Sequence, residues 1–138
     1  NYVPGGSGEL TGIDSFEGNP LTTDPVRYAR NAAILEEDPS LGLASPTVAW
    51  ADEAFKAMVG FRAVDYPSKI RQPILMLAAS ADTVVSTSAI EEFAYHLPAG
   101  SHLVIAGARH EILQEQDRYR AQFWAAFDAF VPGTPSYG

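Results

Sequence analysis

Two short apolar runs set the terms for this chain. Pro73-Ile74-Leu75-Met76-Leu77-Ala78-Ala79 leads through Ser80-Ala81 to Asp82, and Leu103-Val104-Ile105-Ala106 leads through Gly107-Ala108-Arg109 to His110. Each run has strand length, is bounded by turn residues and ends near a group able to move or hold a proton. One good helix lies between them. A crossover of that length joins parallel strands, whose C-terminal ends then share one edge of the sheet. Asp82 and His110 are therefore expected side by side, the arrangement in which a carboxylate holds an imidazole in one tautomer.

The strand count bears on the fold class. Only two segments read as strands and at least four as helices, so the chain is α/β. A two-stranded parallel sheet lacks independent stability and needs both faces covered, which predicts that these residues form part of a larger sheet. With 46% hydrophobic residues in 138 the chain has enough apolar content for a core.

Residues 1 to 20 read as loop, with Gly5-Gly6-Ser7-Gly8 at their centre. Ser7 is a poor nucleophile candidate, because Glu9 stands where a G-x-S-x-G elbow needs its second glycine and no apolar strand precedes it. Asp24 as N-cap and Pro25 in the first turn open a helix expected to reach about Glu37, and Asp38-Pro39-Ser40-Leu41-Gly42 breaks it. Ser45-Pro46 repeats the start signal. A second helix follows, with Trp50, Ala54, Phe55, Met58 and Val59 at helical spacing before Gly60. Its bulky face suits either core packing or an acyl-chain pocket.

A connector over residues 61 to 72 feeds the first strand. Beyond Asp82, Ser88 and Glu91 fit a capping box for a helix buried through Ile90, Phe93, Ala94 and Leu97 and stopped by Pro98-Ala99-Gly100. His96 falls near its C-terminal end, where a dipole contact is the plain reading. The second strand is expected over Ser101 to Ala106, with His102 partly exposed. A last helix, from Gln114 or Gln116 to Val131, should pack across the sheet and end at Pro132-Gly133-Thr134-Pro135.

Composition narrows the function. Lys plus Arg number 9 against 17 for Asp plus Glu, a formal charge of −8, and no basic cluster offsets it, which argues against nucleic acid as a partner. Without cysteine there is no thiolate nucleophile and no thiolate-bound metal. No H-x-x-x-H or similar pair supplies a metal site, so no metal and no cofactor are expected. Asn1-Tyr2-Val3-Pro4 lacks a leader's features, and no apolar run approaches the ~20 residues of a membrane helix.

The residues also carry a resemblance. Pro73 to Leu77, then Ser80-Ala81-Asp82-Thr83-Val84-Val85, then Gly107-Ala108-Arg109-His110-Glu111 resemble the C-terminal part of α/β-hydrolases. The nearest type is the bacterial lysophospholipase and monoacylglycerol lipase group, also labelled serine aminopeptidase-like. Asn19 to Tyr28 and Ser45 to Trp50 are similar to its cap segment, and the likeness spans residues 16 to 131.

The resemblance implies a helical cap over residues 1–66 and the last part of the hydrolase core over 67–138. It implies that Asp82 is the acid and His110 the general base of a triad, in the order Ser, Asp, His. The serine would lie on a missing N-terminal half, so the isolated chain is expected to be inactive, with either that half or a second copy of the chain as its partner. Trp50, Phe55 and Met58 would border the acyl site of a lipid ester substrate if the cap closes over the sheet edge. Glu111 matches a common neighbour of the histidine and is given no role. A cytoplasmic protein is implied, with peripheral contact at the inner membrane as an open alternative. Rival readings are peptide, epoxide or haloalkane cleavage on the same scaffold, and a noncatalytic binding module.

Overall fold

In the computed structural model, which describes residues 1–6, 15–63 and 65–131, the chain forms two compact units. The first comprises Asn1–Asn19 with Pro25–Lys69, and the second Pro20–Asp24 with the chain from Ile70 onward. The short segment Pro20–Asp24 thus belongs with the strands, although it precedes the first helix. Ser7 and the stop signal at Pro132 to Pro135 lie outside the described residues.

The first unit is helical. Helix α1 spans Pro25–Glu37, opening where proline's fixed φ and missing N–H are tolerated. A 3₁₀ turn at Pro39–Leu41 follows, capped by Asp38, whose Oδ1 accepts from the Ser40 amide at 3.0 Å. Helix α2 spans Val48–Phe61. Its N-cap is Thr47 rather than Ser45: the Thr47 hydroxyl accepts from the Trp50 amide at 3.1 Å. The reason lies in the N-terminal residues, since Val3 donates to the Pro46 carbonyl, Val48 donates to that of Asn1, and Tyr2 bridges Thr47. That pairing holds residues 46 and 47 extended and delays the helix. At its other end α2 continues through Gly60, a position that weakens a helix by about 1 kcal/mol relative to alanine without ending it.

The second unit carries the sheet. Strand β1 (Ile74–Ala79) pairs in parallel with β2 (Gly100–Ile105), residue for residue from Ile74 with Gly100 to Ala79 with Ile105. The chain crosses between them through helix α3 (Thr87–Tyr95). Both β2 ends fall one residue earlier than the sequence suggests. Gly100 starts the strand because the chain there is pressed against α3, where a Cβ would stand 2.6 Å from Leu97 Cβ and 2.8 Å from the Ala94 carbonyl oxygen.

Helix α3 also begins earlier than the Ser88–Glu91 capping box predicts. Ser86 is the cap, its hydroxyl accepting from the Ala89 amide at 3.2 Å. Thr87 explains the choice, for its hydroxyl donates to the Ala79 carbonyl at 2.7 Å and pins the helix start to the end of β1. Ser88 instead bonds the Ser86 hydroxyl, and Glu91 lies 3.9 Å from His102 on β2. His96 is the C-cap of α3.

Helix α4 spans Asp117–Phe130 and is preceded by a 3₁₀ turn at Ile112–Gln114. Tyr119 is its buried anchor. It joins Ala79, Ile105 and Ala108 in a small core, with Ile112 and Phe123 packed against it. This core lies directly beneath the C-terminal ends of both strands. Among the described residues, no helix is long and apolar enough to cross a membrane.

Candidate active site

The loops leaving β1 and β2 are stitched together before either reaches its functional group. Beyond the last paired residues, Ser80 donates its amide to the Ile105 carbonyl at 3.1 Å and Ala81 donates to Ala108 at 2.9 Å. The Ser80 hydroxyl accepts from the Gly107 amide at 2.8 Å. Gly107 turns the chain with φ of +84°, a region open to glycine, and a Cβ there would come within 2.9 Å of the Tyr119 hydroxyl. The turn is therefore fixed both by its own torsion and by the core below it.

Asp82 follows at the rim. Its Oδ1 accepts from the Val84 and Val85 amides at 2.8 and 3.0 Å, an Asx turn that leaves Oδ2 pointing across to the other loop. Oδ2 lies 2.8 Å from Nδ1 of His110, 28 residues further along the chain. The Asp82 side chain is only 4% exposed, whereas that of His110 is 32% exposed. One end of the imidazole is thus held in the protein while part of the ring remains open to solvent.

Burial works to raise the Asp82 pKa. The Val85 amide, the His110 ring and the Val84 amide outweigh it, and the carboxyl titrates below its ordinary 3.8. A carboxylate ionised at neutral pH can only accept hydrogen bonds, so the proton between the two groups belongs to Nδ1. In the neutral ring the lone pair is then on Nε2.

A second carboxylate lies behind the pair. Glu115 is completely buried, and burial pushes its pKa up. The Thr23 hydroxyl and the amides of Arg109, Gln116 and Thr23 more than offset that, leaving it below its ordinary 4.5. Nothing local in the sequence singles it out, since its partners on residue 23 lie 92 positions away. The same segment makes further bonds to this loop. Thr22 donates its hydroxyl to the Gln114 carbonyl, Arg109 donates Nη1 to the Thr22 carbonyl, and Glu111 donates its amide to Leu21.

Both lowered carboxyls make acid stability a test of this geometry. In the unfolded chain these groups take up protons at higher pH than in the folded one. Their contribution is therefore full above the ordinary values and lost as pH falls through the depressed folded ones. The urea midpoint of the chain is expected to hold steady above about pH 5 and drop steeply below about pH 4. A flat midpoint down to pH 3 would contradict the bonding described.

Trp50, Phe55 and Met58 belong to the other unit. All three are on α2 and are 64%, 66% and 45% exposed. No residue of α2 is buried, so its apolar spacing does not mark a core face in this structure.

Comparison with known proteins agrees with this architecture. A family model described as serine aminopeptidase, S33, matches residues 10–117. Lysophospholipase L2 of Escherichia coli strain K12 is 33% identical over 113 residues, covering 77% of this chain and 33% of that protein. Probable lysophospholipase L2 of Haemophilus influenzae is 29% identical over 116 residues, covering 84% and 36%. The chain thus spans about a third of the length of these curated relatives. In fold it is similar to a soluble variant of monoglyceride lipase from Saccharomyces cerevisiae, crystallised with a substrate analogue. That match has a TM-score of 0.66 at 16% identity and covers 85% of this chain and 41% of the other.

Proposed function

This chain belongs to the serine aminopeptidase S33 family and has part of an α/β-hydrolase fold, and from that premise we propose that it supplies the acid and base of an ester hydrolase. The observation that carries the reading is the 2.8 Å contact between His110 Nδ1 and Asp82 Oδ2. Asp82 holds His110 with Nε2 unprotonated. That nitrogen takes the proton of a serine hydroxyl as the oxygen attacks an ester carbonyl, and returns it to the departing alcohol. Water then repeats the sequence on the acyl-enzyme, with His110 again as base. Asp82 stabilises the imidazolium at each stage without taking the proton itself.

The serine belongs to a segment outside these residues, because no G-x-S-x-G occurs among the 138. The substrate class we assign is a fatty-acyl ester of glycerol, a lysophospholipid or a monoacylglycerol, on the strength of the lysophospholipase L2 relatives. Residues 1–66 act as a helical cap and 67–138 as core. Trp50, Phe55 and Met58 then offer the apolar surface that an acyl chain requires.

The test is labelling with a fluorophosphonate, which traps an activated serine. In the intact enzyme the adduct is expected on a serine outside residues 1–138, with labelling lost in His110→Ala. The isolated chain is expected to hydrolyse p-nitrophenyl esters no faster than buffer. An adduct within these residues, or undiminished labelling in His110→Ala, would overturn the assignment.

A further inference from the structure

We infer that Glu115 is a positioning residue for His110, acting through the backbone with the segment Leu21–Thr23. The inference rests on His110 being the general base. Asp82 orients the ring, and Glu115 fixes the main chain from which the ring hangs.

A fully buried carboxylate is costly unless its oxygens are satisfied, and those of Glu115 are. Oε1 accepts from the Thr23 amide at 3.1 Å and from the Arg109 amide at 2.8 Å. Oε2 accepts from the Thr23 hydroxyl at 2.6 Å and from the Gln116 amide at 3.1 Å. The Arg109 amide immediately precedes His110. On its other side, Glu111 donates its amide to the Leu21 carbonyl at 2.8 Å. The base is therefore anchored at both neighbouring residues, each time through the same distant segment or the carboxylate that binds it. Gln116 closes the arrangement by donating Nε2 to the Thr23 carbonyl.

The donor pattern makes the effects of substitution graded. In Glu115→Gln the amide carbonyl replaces Oε1 and still accepts from Arg109 and Thr23, while the NH₂ replaces Oε2 and donates to the Thr23 hydroxyl. Of the four bonds described, the one from the Gln116 amide is lost. In Glu115→Ala every acceptor disappears and the Arg109 amide is released.

Expected in the intact enzyme is a kcat lower by about 10²-fold in Glu115→Ala, the usual consequence of misplacing a reacting group by an ångström, with KM nearly unchanged. Glu115→Gln should recover most of that loss. The proton NMR signal of His110 Nδ1–H should be sharp in the native protein and in Glu115→Gln, and broadened or absent in Glu115→Ala. A merely structural role would lower thermal stability and leave both the signal and kcat in place, which would overturn the inference.

If Glu115→Ala fails to fold, hydrogen exchange at the native Arg109 and Glu111 amides decides: both should be protected, and free exchange at either defeats the proposal. Failure of the ester hydrolase reading is separately visible. In that case His110→Ala would keep its turnover, while the NMR signal and amide exchange of proteins that retain His110 still report on the clamp.

Discussion

On the proposed assignment, replacing Asp82 with asparagine is expected to lower kcat of the intact enzyme by about 10⁴-fold while leaving substrate binding largely intact. The expectation follows from how the carboxylate divides its bonds. Oδ1 is committed to the Val84 and Val85 amides, both donors, so an asparagine must place its carbonyl oxygen there. Its NH₂ then faces His110 Nδ1 at the position of Oδ2. A donor opposite Nδ1 forces that nitrogen to accept, and the proton moves to Nε2. The ring stays where it was, and Nε2 no longer has a lone pair with which to take a proton. Steady-state kinetics on the proposed substrate, a lysophospholipid, with circular dichroism to verify folding, measure the effect. A kcat within tenfold of the native value would mean that the imidazole is held in its working tautomer by something else.

The largest expected loss of stability is at Ile105. Among the described residues it is the bulkiest fully buried side chain, at the end of β2, packed with Ala79, Ala108 and Tyr119. Truncation to alanine leaves a cavity in a core whose other members are mostly small, and the cost expected is about 2–5 kcal/mol. Ile105→Val, which removes one methylene, should cost about 1 kcal/mol. Urea denaturation separates the two. Equal midpoints would show that the strand ends are held by their hydrogen bonds rather than by the packing beneath them.

What could be read from the sequence was what short stretches encode by themselves. The two apolar runs, the proline that opens α1 and the turn residues beyond each strand were enough to bring Asp82 and His110 together. The starts of α2 and α3 were misread because distant residues choose the cap. Thr47 is fixed by its pairing with residues 1–3, and Ser86 by the bond from Thr87 to the end of β1. Glu115 was invisible for the same reason in stronger form. A glutamate near a helix start ordinarily faces water, and here Thr23, returning from far upstream, joins the Arg109 amide in holding it inward. On α2, periodicity identified an apolar face and carried no information about what covers it.

The unstaggered pairing of β1 with β2 bears on how such chains diverge. Asp82 stands 82 − 79 = 3 residues past the end of one strand and His110 stands 110 − 105 = 5 past the end of the other. Those two short offsets, and not the 28-residue interval, govern whether the groups meet. The crossover through α3 can lengthen or shrink by a helical turn without disturbing them, whereas a single residue inserted after either strand would part them. Distant members of the lineage should therefore keep both offsets while the interval between acid and base drifts.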